Sequence, residues 1–152
     1  MTGRAEDTLN GIGFGTWAWG NQLLWGYEAE RDDDRLEQTF RQALASGLGL
    51  IDTADSYGTG SLNGRSEELL GEFIAELPAL RRSQLTVATK LAPFPWRWGR
   101  RGFDAAFEAS RKRLKGQLRR VQLHWSTARY APWQKAGLLD GLADLVLCGR
   151  VN

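Results

Sequence analysis

The chain of 152 residues has one cysteine, no long apolar run and a net charge of only +2. Its single cysteine, Cys148, excludes an internal disulfide and a cysteine-based zinc cluster, and a buried thiol in a reducing compartment is the default expectation. No stretch is apolar for 18 residues, and the opening MTGRAEDTLN is polar, so we expect neither a transmembrane helix nor a signal peptide. These absences predict a soluble, cytoplasmic protein that does not bind membranes.

The small net charge also argues against a general attraction to nucleic acid. Its distribution is uneven, because residues 1–96 carry 8 basic and 14 acidic side chains, whereas residues 97–152 carry 12 basic and 4 acidic ones. The basic half could meet an anion such as a cofactor phosphate or an acidic partner surface. A solvated helix face is the commoner reason for such a bias, and we therefore predict no nucleic-acid partner.

Apolar residues alternate between the periods that are typical of strands and of helices. The predicted strands lie in IGFGTWAWG, LGLID, QLTVATK and RRVQLHW, and a segment with helical spacing follows each of them. Three details of the helices are predicted: an N-cap at Ser66, a first helical position at Pro132, and a last apolar stripe of Leu139, Leu142 and Val146. Four strand–helix repeats predict an α/β protein with a parallel sheet, either doubly wound or part of a (β/α)₈ barrel.

Ionisable side chains stand at or near the ends of three successive predicted strands: Asp52, Lys90 and His124. Taken alone, each has an ordinary explanation as a turn cap, a solvated charge or a core histidine. In barrels, however, the chemistry lies at the carboxyl ends of the strands, and this pattern delivers all three residues to that rim. Their joint placement favours the barrel and predicts a common site.

Tyr57 follows Asp52 in the turn DTADSYG and completes the chemistry of this predicted site. A lysine that keeps its charge beside a carboxylate stabilises a nearby phenolate, so Lys90 and Asp52 could tune Tyr57 as a general acid. His124 could hydrogen-bond a substrate oxygen. The set suits the reduction of a carbonyl, in which a nicotinamide cofactor supplies the hydride and the protein supplies the proton.

Five motifs in order make the chain resemble the N-terminal half of an aldo-keto reductase, from about residue 11 to residue 152. They are GFGTWAWG, LIDTADSYGTG, NGRSEELLGEFI, VATK and RVQLHWS. The catalytic tetrad of that family, Asp, Tyr, Lys and His, falls on Asp52, Tyr57, Lys90 and His124. The stretches WAWGNQLLWGY and SYGTGSLNGRSE look most like members from cyanobacteria and plastids.

The resemblance implies NADPH-dependent reduction of small aldehydes or ketones, with NADP⁺ as the oxidised cofactor and no metal. It implies the first four β/α units of a TIM barrel, a half barrel of parallel strands with outer helices. Tyr57 would protonate the carbonyl oxygen and His124 would orient it. The implied cofactor-binding residues are Gly15, Thr16, Trp17 and Asp52. The implied substrate-lining residues are Trp96, Trp98 and Trp125.

A full barrel needs about 250 residues, so the 152 residues are interpreted as a single partial domain, truncated before the fifth strand. In the family, later segments provide further nicotinamide contacts and the adenosine-phosphate site. A half barrel also has two open strand edges, which invite pairing. Three interpretations stay open: a reductase module completed by another chain or by self-association, a non-catalytic truncated fragment, and a half-barrel binding or regulatory subunit.

Overall fold

The computed structural model describes residues 12–125 and 132–151. Four strands run through this part of the chain: β1 Gly13–Gly15, β2 Leu50–Asp52, β3 Thr86–Leu91 and β4 Arg120–Leu123. They form one sheet in the order β1-β2-β3-β4, and all neighbouring pairs are parallel. A doubly wound sheet reverses its strand order at a switch point, whereas this sheet adds each strand beside the previous one. The order therefore fits the first half of a barrel.

The helices are α1 Gln22–Trp25, α2 Ala29–Ala45, α3 Arg65–Ala75, α4 Ala79–Gln84, α5 Gly99–Arg113 and α6 Lys135–Leu147, with 3₁₀ turns at Gly60–Leu62 and Pro132–Gln134. The four longer helices are the predicted ones. The short α1 and α4 have no long apolar stripe in the sequence. Asn21 caps α1, because its side-chain oxygen accepts a hydrogen bond from the Leu24 amide at 3.0 Å.

The core lies between one face of the sheet and the helices. Side chains alternate along a strand, and Ile51, Val87 and Leu91 are essentially inaccessible to solvent among helix residues such as Phe40 and Phe107. The opposite face carries Asp52 and Lys90, as the alternation predicts. The sheet thus separates an apolar layer from the ionisable side chains of the predicted site.

Two of the predictions about the helices are wrong. Ser66 is not an N-cap: α3 begins at Arg65, and the Ser66 side chain is buried against β1. Leu139 and Val146 are exposed, and α6 buries Leu138 and Leu145 instead, because the helix is rotated by about one residue relative to the predicted stripe.

The thiol of Cys148 was expected to be buried, but the residue is exposed, because it follows directly after the last turn of α6. Pro132 opens a 3₁₀ turn that leads into α6, close to the predicted helix start. Within the described residues, no helix is both long enough and apolar enough to cross a membrane.

Candidate active site

Lys90, near the end of β3, joins two of the other predicted site residues. Its ammonium nitrogen donates to Oδ2 of Asp52 at 2.5 Å and to the phenol oxygen of Tyr57 at 3.2 Å. A third hydrogen bond runs to the carbonyl oxygen of Thr53 at 3.0 Å. The lysine side chain is largely buried, and the aspartate is partly exposed. A shielded cation thus stands between a carboxylate and a phenol, where it stabilises negative charge on either oxygen.

The backbone explains why these side chains meet. In the parallel register, Asp52 lies opposite Ala88. Lys90 is two residues beyond Ala88 on β3, so its side chain projects from the same face of the sheet as Asp52. The chain beyond β2 stays beside β3, because the Thr53 amide donates to the Ala88 carbonyl and the Asp55 amide to the Lys90 carbonyl. A turn then returns Tyr57 over the lysine, with its amide bonded to the Ala54 carbonyl at 3.2 Å.

Gly58 permits this turn. Its φ of +114° is a conformation that other residues rarely adopt, and a Cβ built there would lie 1.9 Å from the Leu62 carbonyl oxygen. The close approach of two backbone segments therefore fixes the position of Tyr57 immediately before the glycine.

His124 directly follows β4, and its amide donates to the Leu91 carbonyl at 2.9 Å. Its ring stacks on Trp125 at a centroid distance of 4.1 Å and meets the Tyr57 ring edge-on at 5.7 Å. Nδ1 lies 3.1 Å from the hydroxyl of Ser56. Burial, and next the charge of Lys90, lower the pKa of His124 below its usual 6.5, so the imidazole is neutral at neutral pH. The structure therefore brings all four residues of the predicted tetrad together.

The predicted cofactor residues follow β1 and differ in accessibility. Trp17 is 53% exposed and contacts Trp25 edge-on, whereas Thr16 is fully buried. The Thr16 hydroxyl lies 2.6 Å from that of Ser66 and 3.4 Å from the Asp52 carbonyl, and Ser66 also meets the Thr53 hydroxyl. This buried hydroxyl cluster holds β1 against β2. The side chain of Thr16 therefore positions the backbone, and direct contact of that side chain with a cofactor stays a prediction.

Gly15 ends β1 opposite Asp52, and the nearest atom to a Cβ built on it would lie 3.9 Å away. A Cβ at Gly15 would thus make only ordinary van der Waals contact, and the neighbouring residues Asp52 and Trp17 present a partly exposed carboxylate and an exposed indole. Asp52 offers a hydrogen-bond acceptor and Trp17 an aromatic surface, which is the chemistry that a flat, polar ring such as nicotinamide would require of residues holding it.

The predicted substrate-lining tryptophans differ in their contacts. Phe94 stacks on Trp96 at 4.6 Å and meets Trp125 edge-on at 6.0 Å, so these three rings form a wall that continues to His124. Trp98 lies at the N-cap of α5 and is largely exposed. The structure therefore joins Trp96 and Trp125 at the site through Phe94, a residue that was not predicted to line it.

A buried ion pair, also missed from the sequence, holds the loop that carries this wall. The carboxylate of Asp55 is fully buried and pairs with Arg97, whose guanidinium lies over the Phe94 ring at 4.8 Å. The Ala92 amide donates to the same carboxylate at 3.2 Å. The motif DTADSYG contains Asp55, but its partner is 42 residues away, and no local pattern marks the pair.

Comparison with known proteins adds three findings. A sequence model described as "Aldo/keto reductase family" matches residues 11–152. The chain is 53% identical over 148 residues to a chloroplastic pyridoxal reductase of Arabidopsis thaliana, covering 95% of this chain and 40% of the relative. It is 34% identical over 149 residues to a 6-dehydroglucose reductase of Novosphingobium aromaticivorans, covering 94% and 47%.

A Bombyx mori aldo-keto reductase, solved in complex with NADP, superposes with a TM-score of 0.67 at 23% identity. The match covers 92% of this chain and 44% of that one. The predicted half-barrel fold is thus confirmed, and the chain spans less than half the length of each relative named here.

Proposed function

Because the chain belongs to the aldo/keto reductase family, we propose that it carries the proton-donating half of an NADPH-dependent carbonyl reductase. The observation that supports this most directly is the contact of Lys90 with both Asp52 and Tyr57. The cofactor is proposed from the family and from the NADP complex of the Bombyx mori relative. When bound, the nicotinamide would supply the hydride; the rest of the chemistry belongs to the side chains.

Tyr57 is the proton donor in this mechanism. Its phenol gives its proton to the carbonyl oxygen, and the Lys90 ammonium, 3.2 Å from the phenol oxygen, stabilises the phenolate that remains. Asp52 holds the ammonium in place and balances its charge. His124 is neutral and donates a hydrogen bond to the same carbonyl oxygen, which orients the substrate and stabilises the developing charge.

The substrate is proposed to be a small aldehyde or ketone, and pyridoxal is the first to test. The 53% identity to the pyridoxal reductase suggests it. The aromatic wall of Phe94, Trp96 and Trp125 also suits a flat heteroaromatic ring, which can stack on such side chains. Trp98, at the N-cap of α5, is proposed as a further lining residue.

Since the chain spans 40% of the pyridoxal reductase, we propose that a complementing half barrel or a second copy of this chain completes the cofactor site. The open edges of β1 and β4 are where such a partner would pair. The first experiment is an NADPH titration of the purified chain, read by tryptophan fluorescence. Saturable quenching that Trp17→Phe removes and Trp133→Phe retains would support a cofactor site beside β1. A folded sample without quenching would instead support a non-catalytic fragment or a binding subunit.

Turnover then tests the proton donor. Tyr57→Phe is expected to lower kcat for pyridoxal by at least about 100-fold, the lower end of what general acid catalysis contributes, while the affinity for NADPH is unchanged. Tyr27→Phe is the matched control: its hydroxyl contacts Asp33 and Arg65 on the helix side, so the rate should be retained. If both variants kept the rate of the unmodified chain, Tyr57 would be excluded as the donor.

A further inference from the structure

The two nitrogens of the His124 imidazole are not equivalent in this structure. Nδ1 lies 3.1 Å from Oγ of Ser56, which belongs to the turn between β2 and Tyr57. In a neutral imidazole one ring nitrogen carries the hydrogen and the other accepts, so the partner of one nitrogen decides which tautomer is present. The Ser56 hydroxyl can donate to a lone pair on Nδ1 or accept a hydrogen from it, so the direction of this bond is coupled to what the opposite nitrogen can offer to a substrate.

We propose that Ser56 is a positioning residue whose hydroxyl donates to Nδ1 of His124 and so keeps the ring hydrogen on Nε2. This inference rests on the reductase function proposed above. With hydrogen on Nε2, the ring donates to a carbonyl oxygen. With hydrogen on Nδ1, Nε2 would present a lone pair to that oxygen and repel it.

The ring is held in two independent ways. Stacking on Trp125, at an interplanar angle of 20°, fixes the plane of the imidazole. Stacking alone does not distinguish two orientations related by a half-turn about the Cβ–Cγ bond, because both place the ring in the same plane. The hydrogen bond to Ser56 does distinguish them, since the half-turn replaces Nδ1 by a carbon atom.

The backbone on both sides of this hydrogen bond is anchored to β3. The residues that flank Ser56 have bonded amides: that of Asp55 donates to the Lys90 carbonyl at 3.0 Å and that of Tyr57 to Ala54. The His124 amide donates to the Leu91 carbonyl at 2.9 Å. The serine and the histidine, 68 residues apart in sequence, are thus held in register by the strand between them.

The charges around the ring favour the neutral form, in which the two tautomers differ. Burial and the Lys90 ammonium lower the pKa of His124, and the carboxylates of Asp55 and Asp52 oppose them with smaller effects. A neutral ring has a tautomer to select, whereas an imidazolium has hydrogen on both nitrogens.

The test uses the fact that His124 is the only histidine of the chain, so a tag-free, ¹⁵N-labelled sample gives one pair of imidazole nitrogens. Long-range ¹H–¹⁵N correlation spectra distinguish a protonated nitrogen from one that carries a lone pair. In the unmodified chain we expect Nε2 to be protonated and Nδ1 to carry the lone pair. In Ser56→Ala the two shifts should move toward each other as the tautomers mix, and Ser56→Thr, which keeps the hydroxyl, should restore the original pattern.

Two results would overturn the inference. One is hydrogen on Nδ1 in the unmodified chain, and the other is a Ser56→Ala spectrum with the same nitrogen shifts as the unmodified chain. Ser61→Ala controls for loss of an exposed serine hydroxyl elsewhere. This readout needs neither cofactor nor turnover, so its failure is distinguishable from failure of the proposed reduction. Where turnover is present, Ser56→Ala should lower kcat by roughly 2- to 12-fold, the range of one net hydrogen bond, with KM little changed.

Discussion

Replacement of Arg97 by alanine should destabilise the chain far more than loss of an ordinary surface arginine. The carboxylate of Asp55 is 0% exposed and its partner Arg97 is 16% exposed. Without the guanidinium, the carboxylate keeps only the Ala92 amide among the partners described above. Removal of one member of a buried ion pair typically costs about 3–5 kcal/mol, because the remaining charge stays desolvated. The lost contact with the Phe94 ring adds roughly 0.5–1 kcal/mol.

The matched control is Arg100→Ala, three residues along the same segment. Arg100 pairs with Asp144 at 3.1 Å, but the side chains are 60% and 45% exposed. Solvent screens such a pair, which typically contributes about 0–1 kcal/mol. Urea denaturation followed by tryptophan fluorescence would give the free energy of unfolding of both variants. The expected difference is a large part of the roughly 5–15 kcal/mol that stabilises a typical domain.

A double variant tests whether the unpaired carboxylate of Asp55 causes the loss of stability. If the cost of Arg97→Ala comes from an unpaired buried charge, then adding Asp55→Asn should recover part of the lost stability, because the charge is gone. Equal free energies for Arg97→Ala and Arg100→Ala, or a further loss in the double variant, would show that Asp55 is not buried as a carboxylate in solution.

Two further predictions concern the turn and the histidine. Because burial and Lys90 lower the folded-state pKa of His124, an NMR titration should give a pKa below 6.5. Lys90→Met should raise this pKa only in part, because the effect of burial remains. The neutral ring therefore contributes stability at pH values above the pKa of the unfolded chain, and this contribution is lost as the pH falls through the folded-state pKa. An unchanged His124 titration in Lys90→Met would contradict the role of Lys90. Gly58→Ala should lower the free energy of unfolding by about 3 kcal/mol or more, since the Leu62 carbonyl occupies the position of a Cβ. The control Gly60→Ala, where the Cβ would meet no atom, should lower it by only about 1 kcal/mol. Similar urea midpoints for the two variants would refute the clash.

The repeated strand–helix pattern was readable because each element buries one face, and burial imposes the period of the element on its apolar residues. Asp52, Lys90 and His124 were placed at one rim for the same reason, since parallel strands end at a common edge. The predicted orientation of α6 was wrong because its apolar residues support two stripes that differ by about one residue: Leu138, Leu139, Leu142, Leu145 and Val146. Only packing against α5 and β4 selects between the two stripes.

Contacts between distant side chains were not readable. Ser66 has the sequence context of a cap, but its hydroxyl bonds to Thr16, 50 residues earlier. Likewise, Ser56 and Asp55 are ordinary turn residues until the fold brings His124 and Arg97 beside them. The cytoplasmic location, the single truncated domain and the catalytic roles of the tetrad stay predictions.

The strand order has a consequence for how the molecule forms. Gly13 pairs with Leu50, Leu50 with Thr86, and Ala88 with Arg120, so each strand finds its partner in the next repeat of the chain. During synthesis, which proceeds at roughly 5–20 residues per second from the N-terminus, the partner on the N-terminal side of each strand has therefore already been made when that strand leaves the ribosome. The side chains of the predicted tetrad would then be assembled in their order along the chain, with the lysine captured by a carboxylate already in place and the histidine added last.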